Sequence, residues 1–171
     1  MNIIILAAGQ GSRFLKEGVK TPKPLILYKK KPLFWWAANS LIDSFNDYKL
    51  YFVFREEHIR EYNLEKYLNS FFQSSKIISI PDLTSGPAET AYLASKEIFN
   101  KSSPSVFCDS DITFSINKTN LEQKLKESFN AIAFTFKSSN PAYSYLLKDK
   151  SGIIKDAIEK KVVSNSALTG A

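Results

Sequence analysis

MNIIILAAGQGSRFLKEGVKTPKP, residues 1–24, is the stretch from which the rest of the chain is read. Its apolar run from Ile3 to Ala8 has the length and β-branched content of a buried strand. The run stops at Gly9-Gln10-Gly11, and the residues that follow deliver Ser12, Arg13, Lys16, Lys20 and Lys23. Two glycines two apart permit a sharp turn and bring backbone N–H groups close to an anion with no Cβ in the way. Arg13 adds a planar fork matched to phosphate oxygens, while Lys23, between Pro22 and Pro24, is a point charge on a stiffened backbone. Together they predict a strand feeding a triphosphate-binding loop.

Other phosphate loops fit less well. A dinucleotide fingerprint wants a third glycine where this chain has Phe14, and an acid about 20 residues further on. That region holds Lys29, Lys30 and Lys31 instead. A P-loop needs Gly-Lys-Ser/Thr after four intervening residues, and the string does not occur.

With 171 residues the expectation is one domain, burying roughly 70% of the surface that the unfolded chain exposes. Hydrophobic residues make up 44% and aromatic ones 13%, a globular composition. No basic n-region precedes the first apolar run, which is far short of the ~20 residues that span a bilayer, so the expected setting is cytoplasmic, with no membrane partner. The single cysteine, Cys108, cannot form an internal disulfide, and no Cys/His cluster is spaced for zinc. The sole histidine, His58, sits in the charged segment REEHIREY and reads as a surface or packing residue rather than a base. The net charge of +6 is spread along the chain without a nucleic-acid motif, and part of it surrounds the first loop. A small polyanionic substrate accounts for it, with no nucleic-acid partner.

Further along, Pro32 to Phe45 (PLFWWAANSLIDSF) predicts a largely buried helix with proline at its first position and Trp35 and Trp36 in the core. Lys49 to Phe54 and Lys76 to Ile80 read as strands, with helical spacing from Tyr62 to Phe72 between them. Leu83 to Thr90 (LTSGPAET) breaks at Gly86-Pro87 and opens a helix running to about Phe99, whose free N–H groups point into a cleft. Ser105 to Cys108 is a short strand ending in Asp109-Ser110-Asp111. Carboxylates at i and i+2 of an extended chain point the same way and can share one hard cation; the alternative is an Asx turn. Metal binding is preferred because the pair falls at a strand's carboxyl end, where open α/β sheets bind ligands. A helix near Leu121 to Phe129 precedes strands at Ala131 to Lys137, Tyr143 to Lys148 and Ile153 to Ile158, the last two forming a hairpin around Asp149 to Gly152. Glu159-Lys160-Lys161 follows it, and composition alone reads this trio as a solvated turn. Ala167 to Ala171 opens one more strand, so a longer protein is expected.

LAAGQGSRF, followed by TPKPLI at Thr21 to Ile26, resembles the signature of the sugar-nucleotide pyrophosphorylase and cytidylyltransferase superfamily, the nucleotidyltransferases with a GT-A-like fold. REEHI from Arg55, LTSGPAETA from Leu83, Asp109-Ser110-Asp111, PAYSY from Pro141 and EKKVVSNSALTG from Glu159 extend the resemblance over nearly the whole chain. It implies an α/β fold, a three-layer αβα Rossmann-like domain over residues 1–171 that lacks a C-terminal segment. Its sheet would be mixed and mainly parallel, with a β-hairpin near the acceptor site. It also implies a reaction in which an acceptor phosphate attacks the α-phosphorus of a nucleoside triphosphate and pyrophosphate leaves, with Mg²⁺ holding the phosphates.

Residue roles follow from the same resemblance. Leu6, Ala7, Ala8, Gly9, Gly11 and Ser12 would wrap the nucleotide, and Gly86, Pro87, Ala88 and Thr90 would contact base and ribose. Arg13 would hold the leaving pyrophosphate and Lys23 the α-phosphate. Asp111 would bind the metal with Asp109 as helper, and Glu159 and Lys160 would face the acceptor, Lys160 neutralising its phosphate. The family usually supplies a second metal carboxylate from beyond the acceptor motif, where this sequence has ended. The block LAAG-x-GSRF with PKP is closer to cytidylyltransferases that activate small phosphorylated compounds than to hexose-1-phosphate enzymes. The implied partners are therefore CTP, or another NTP, and an acceptor such as phosphocholine or phosphoglutamine, in capsule or surface-polysaccharide synthesis. A sugar-1-phosphate nucleotidyltransferase, a GT-A glycosyltransferase and an inactive nucleotide-binding module are the alternatives.

Overall fold

The computed structural model describes residues 1–98, 102–127 and 129–171. In order its elements are β1 (Asn2–Leu6), α1 (Ser12–Lys16), a 3₁₀ turn (Lys23–Leu25), β2 (Leu27–Tyr28), β3 (Lys31–Pro32), α2 (Leu33–Ile42), β4 (Lys49–Arg55), α3 (Glu56–Glu61) and α4 (Leu64–Asn69). These are followed by β5 (Lys76–Ile80), α5 (Pro87–Glu97), β6 (Ser105–Asp109), α6 (Lys118–Lys126), β7 (Thr135–Lys137), β8 (Tyr145–Lys148), β9 (Ile154–Ile158) and β10 (Ser166–Leu168). The chain divides into two compact units, Met1–Ile116 and Asn117–Ala171.

In the first unit four strands form a parallel sheet in the order β5-β4-β1-β6. Ile5 lies opposite Phe52 on one side and Cys108 on the other. Because helices cover both faces, β1 and β4 are apolar almost throughout, which is why they read as unbroken runs rather than alternating ones. One face carries Phe52 and Phe54 against Phe34 of α2, ring centroids 5.3 and 6.1 Å apart. The other packs Ile4, Tyr51, Val53, Ile78 and Ile80 against Ala94 of α5 and Ile98 just beyond it. The result is the expected helix–sheet–helix sandwich. All four strands run the same way, so the loops after β1, β5 and β6 open at one edge of the sheet, where the site is found.

Several local expectations change. The α2 helix begins at Leu33, with Pro32 as the residue before it, and ends at Ile42. Its core residues are Phe34, Ala37, Ala38 and Leu41, whereas Trp35 and Trp36 are only half-buried. Neighbours on a helix point about 100° apart, so three consecutive aromatics cannot share one buried stripe. The indole of Trp36 instead donates to the Tyr28 carbonyl at 2.9 Å. The β2–β3 hairpin, which the sequence did not announce, turns through Lys29 and Lys30, both left-handed (φ 47° and 64°). Such turns favour Asn-Gly, and a lysine pair gives no sign of one.

His58 is the packing residue it was expected to be. It is buried on α3, with Nε2 2.6 Å from an Arg55 guanidinium nitrogen. Burial, reinforced by the Arg55 charge, holds its pKa below the usual histidine range. The α5 helix closes at Glu97, and Phe99, to which it was expected to run, lies outside the described residues.

The second unit holds an antiparallel sheet ordered β7-β10-β8-β9. The parallel and antiparallel pairings thus fall in separate sheets. The β8–β9 hairpin forms as expected: Asp149 Oδ1 accepts the N–H groups of Ser151 and Ile153, both at 3.0 Å, and Gly152 takes φ +85°. The strand expected from Ala131 begins only at Thr135, because its partner β10 is three residues long and a ladder cannot outrun its partner. Likewise β8 starts at Tyr145, since Asn140 captures the Ala142 N–H at 3.0 Å in a turn that includes Tyr143. The α6 helix starts at Lys118, capped by the Asn117 side chain on the Asn120 N–H, and stops at Lys126, before the expected Phe129. No helix among the described residues is long and apolar enough to cross a membrane.

Phe34→Ala removes a fully buried ring that meets four other aromatic side chains. Urea unfolding should show a loss of ~3–5 kcal/mol.

Candidate nucleotide-binding cleft

The site is built wholly within the first unit. β1 ends at Leu6, and the Ala7 N–H makes a last bond to the Val53 carbonyl at 2.9 Å before the chain leaves the sheet. Gly9 and Gln10 are exposed, and Gly11 turns the backbone left-handed (φ 64°) so that its carbonyl receives the Phe14 and Leu15 N–H groups at 2.9 and 3.2 Å. A Cβ on Gly11 would stand 3.1 Å from the Cβ of Lys23. The glycine is therefore required twice over, by its dihedral and by the lysine pressed against it. Lys23 opens the 3₁₀ turn between Pro22 and Pro24, where the Leu25 N–H bonds the Pro22 carbonyl at 2.8 Å. This fixes the root of the lysine while its tip extends to Asp111, Nζ to Oδ2 2.5 Å.

Asp109 is the last residue of β6, in register with Leu6, and Asp111 lies two residues on, in the turn that follows. The two carboxylates were expected to share a face of an extended chain. Instead the strand stops between them, and the turn, not strand alternation, carries Asp111 into the cleft that Asp109 also lines. Burial pushes the Asp109 pKa up, the Asp111 charge adds to the rise, and Lys23 opposes it. Cys108 is buried, and burial together with the two aspartates pushes its thiol up to about 12, so it is inert as a nucleophile.

The third wall is the entry to α5. Gly86 is extended and caps the helix, and Pro87 takes its first position. Glu89 reaches back to accept the Ser85 N–H at 2.6 Å and the Ser85 hydroxyl at 2.8 Å, which holds its carboxyl below the usual range. The hydroxyls of Thr84 and Thr90 lie 2.6 Å apart, both within 3.3 Å of the Gly86 carbonyl. The loop is thus stapled to the first turn of its own helix. The sequence did mark this: Glu89 stands three residues past the glycine cap, the spacing of a capping box, though its partner is one residue further back.

These walls enclose a cleft of about 1180 Å³. That exceeds the ~300–1,000 Å³ of ordinary small-ligand pockets, enough for more than one small molecule. Arg13, Lys16 and Lys23 bring positive charge to it, and Glu17, Asp109 and Asp111 the opposing charge. Among the residues predicted for nucleotide contact, Leu6, Ala8, Gly9, Gly11 and Ser12 line it from the first loop, and Gly86, Pro87 and Thr90 from the second. Ala7 is buried away from the lining, and Ala88 sits on the exposed side of α5. Gln10, Phe14, Thr84 and Ser85 line the cleft without having been predicted. Glu159 and Lys160 belong to the second unit, in the turn after β9, where they are exposed and pair with each other at 2.7 Å.

The carboxylates offer hard oxygen donors of the kind Mg²⁺ prefers. No group of three or more His, Cys, Asp or Glu side chains is placed to hold a metal among the described residues. A cation fits here if ligand oxygens complete its shell, as is usual for Mg²⁺ with phosphates.

Among solved structures the chain is similar to a nucleoside-diphosphate-sugar pyrophosphorylase from Vibrio cholerae RC9, with a TM-score of 0.77 and 20% identity over 99% of this chain and 71% of that one. It is similar to an inositol-1-phosphate CTP transferase from T. maritima, with a TM-score of 0.79 and 18% identity over 99% and 68%. It is also similar to a UDP-glucose pyrophosphorylase complexed with UDP-glucose, with a TM-score of 0.72 and 20% identity over 99% and 74%. No protein-family model and no curated protein matches the sequence. The chain has the fold of these proteins.

Gly11→Ala should cost ~1–2 kcal/mol of stability, from the left-handed dihedral alone. Gly9→Ala, which places its Cβ in open space, should stay within ~0.5 kcal/mol of wild type in the same urea titration.

Proposed function

We propose that the cleft is the centre of a nucleotidyltransferase that joins a nucleoside monophosphate to a phosphorylated acceptor and releases pyrophosphate. The observation that carries this is one assembly: a glycine loop clamped on Lys23, and Lys23 in turn beside Asp109 and Asp111, all in one cleft with the capped start of α5. The acceptor phosphate is already a nucleophile, so what the protein must supply is alignment and charge stabilisation, and no side-chain nucleophile is required. The inert Cys108 and the buried His58 are consistent with that economy.

In this reading Gly9 and Gly11 let the backbone approach the triphosphate, Arg13 steadies the departing pyrophosphate, and Lys23 neutralises charge at the α-phosphate as the bond to it changes. Asp111, with Asp109, would hold Mg²⁺, which when bound supplies further neutralisation of the phosphates. The loop from Thr84 to Gly86, stapled to its own helix, would be the ledge against which base and ribose rest. The roles of Glu159 and Lys160 toward the acceptor rest on the resemblance of their motif.

More finely, we assign cytidylyl transfer from CTP to a small phosphorylated acceptor, phosphoglutamine or a phosphocholine-like compound, as in the CTP:phosphoglutamine cytidylyltransferase of capsule synthesis. The LAAGQGSRF and PKP blocks support this, and the CTP transferase among the similar folds is in keeping with it.

A panel of the four NTPs against phosphoglutamine, phosphocholine and hexose 1-phosphates, scored by pyrophosphate, tests both levels. CTP with one of the first two should release it, and Arg13→Ala and Lys23→Ala should each lose at least ~100-fold in turnover. Asp111→Asn should abolish metal-dependent turnover. Release only with a hexose 1-phosphate would move the finer assignment, and nucleotide-sugar turnover with no pyrophosphate from any pair would overturn the coarser one.

A further inference from the structure

Lys23 Nζ and Asp111 Oδ2 are 2.5 Å apart, with 31% of each side chain exposed. The nucleotidyl-transfer reading gives these two groups different partners, a phosphate for the lysine and a cation for the aspartate. They cannot serve both partners while bonded to each other. An ammonium on Oδ2 occupies one of the carboxylate's two oxygens, and a divalent ion brought beside it meets like charge. The root of the lysine is fixed, because its Cβ lies against Gly11 and its backbone is held between two prolines. Beyond Cβ the lysine stem is flexible, so its ammonium can swing without moving the loop.

We propose that Lys23 is a stand-in cation, which neutralises Asp111 until a polyphosphate draws the ammonium away and so frees the carboxylate for the metal. Binding of nucleotide and of divalent cation is then coupled through one side chain, and the coupling is reciprocal. Asp109 is the neighbouring carboxylate and stays in place throughout, so the exchange changes the charge beside it without changing the strand that carries it.

The inference rests on the nucleotidyl-transfer reading, and its test avoids turnover. Mn²⁺ binding to the full chain is measured by electron paramagnetic resonance with no nucleotide present, for wild type, Lys23→Met, Lys23→Arg and Lys23→Met/Asp111→Asn. Methionine keeps the stem that packs on Gly11 and loses the charge. Lys23→Met should bind Mn²⁺ ~5-fold or more tightly than wild type, within the usual range of such couplings. Lys23→Arg should stay near wild type, and the double variant should lose the gain. Equal or weaker binding by Lys23→Met, no measurable binding by any variant, or a gain that survives Asp111→Asn would each overturn the proposal. Pyrophosphate release by wild type is scored separately, so failure of the exchange is distinguishable from failure of the transfer reading.

Discussion

Lys23 stands at the meeting point of everything else in the cleft. Its backbone lies against a left-handed glycine in the first loop, its neighbours are prolines that stiffen its approach, and its ammonium reaches the carboxylate that follows β6. Two loops distant in sequence, at residues 9–11 and 109–111, are tied through one side chain. The parallel sheet makes this possible, because β1 and β6 are direct neighbours with their carboxyl ends together. Charge of both signs then gathers in a space walled on the third side by the entry to α5, whose one acid, Glu89, is engaged by Ser85.

The electrostatics of the cleft follow from that crowding. Asp109 is pressed into the sheet and sits near Asp111, so its carboxyl is harder to ionise than usual, and only the lysine offsets the effect. A site that sets positive groups directly beside carboxylates is suited to a polyphosphate with a hard cation. The α5 entry is suited to something else. Its hydrogen bonds are spent inward, Glu89 on Ser85 and Thr84 with Thr90, leaving a rigid ledge rather than a charged grip.

Much of this was legible in the residues, for identifiable reasons. The parallel strands announced themselves because burial on both faces demands unbroken apolar runs, and Lys76–Ile80 was placed to the residue. The first loop and Lys23 were legible because glycine and proline restrict the backbone whatever surrounds them. Contacts between distant segments were not. Nothing in Gly11 or Lys23 alone says that they touch, and the i, i+2 spacing of Asp109 and Asp111 pointed to two residues that do line the cleft, but by the wrong geometry. The turn through Lys29 and Lys30 was hidden because residues that seldom adopt left-handed dihedrals were used there. The limits of β7 were set by a partner 30 residues away, beyond the reach of any local pattern.

Nucleotidyl transfer in this cleft requires that the loop clamped on Lys23 grip a polyphosphate. Calorimetric titration of the full chain with cytidine, CMP, CDP and CTP in the presence of Mg²⁺ tests it directly. Affinity should rise with each added phosphate, by the largest step on reaching the triphosphate, and weaken as salt is raised. Equal affinity for CMP and CTP, insensitive to salt, would contradict it.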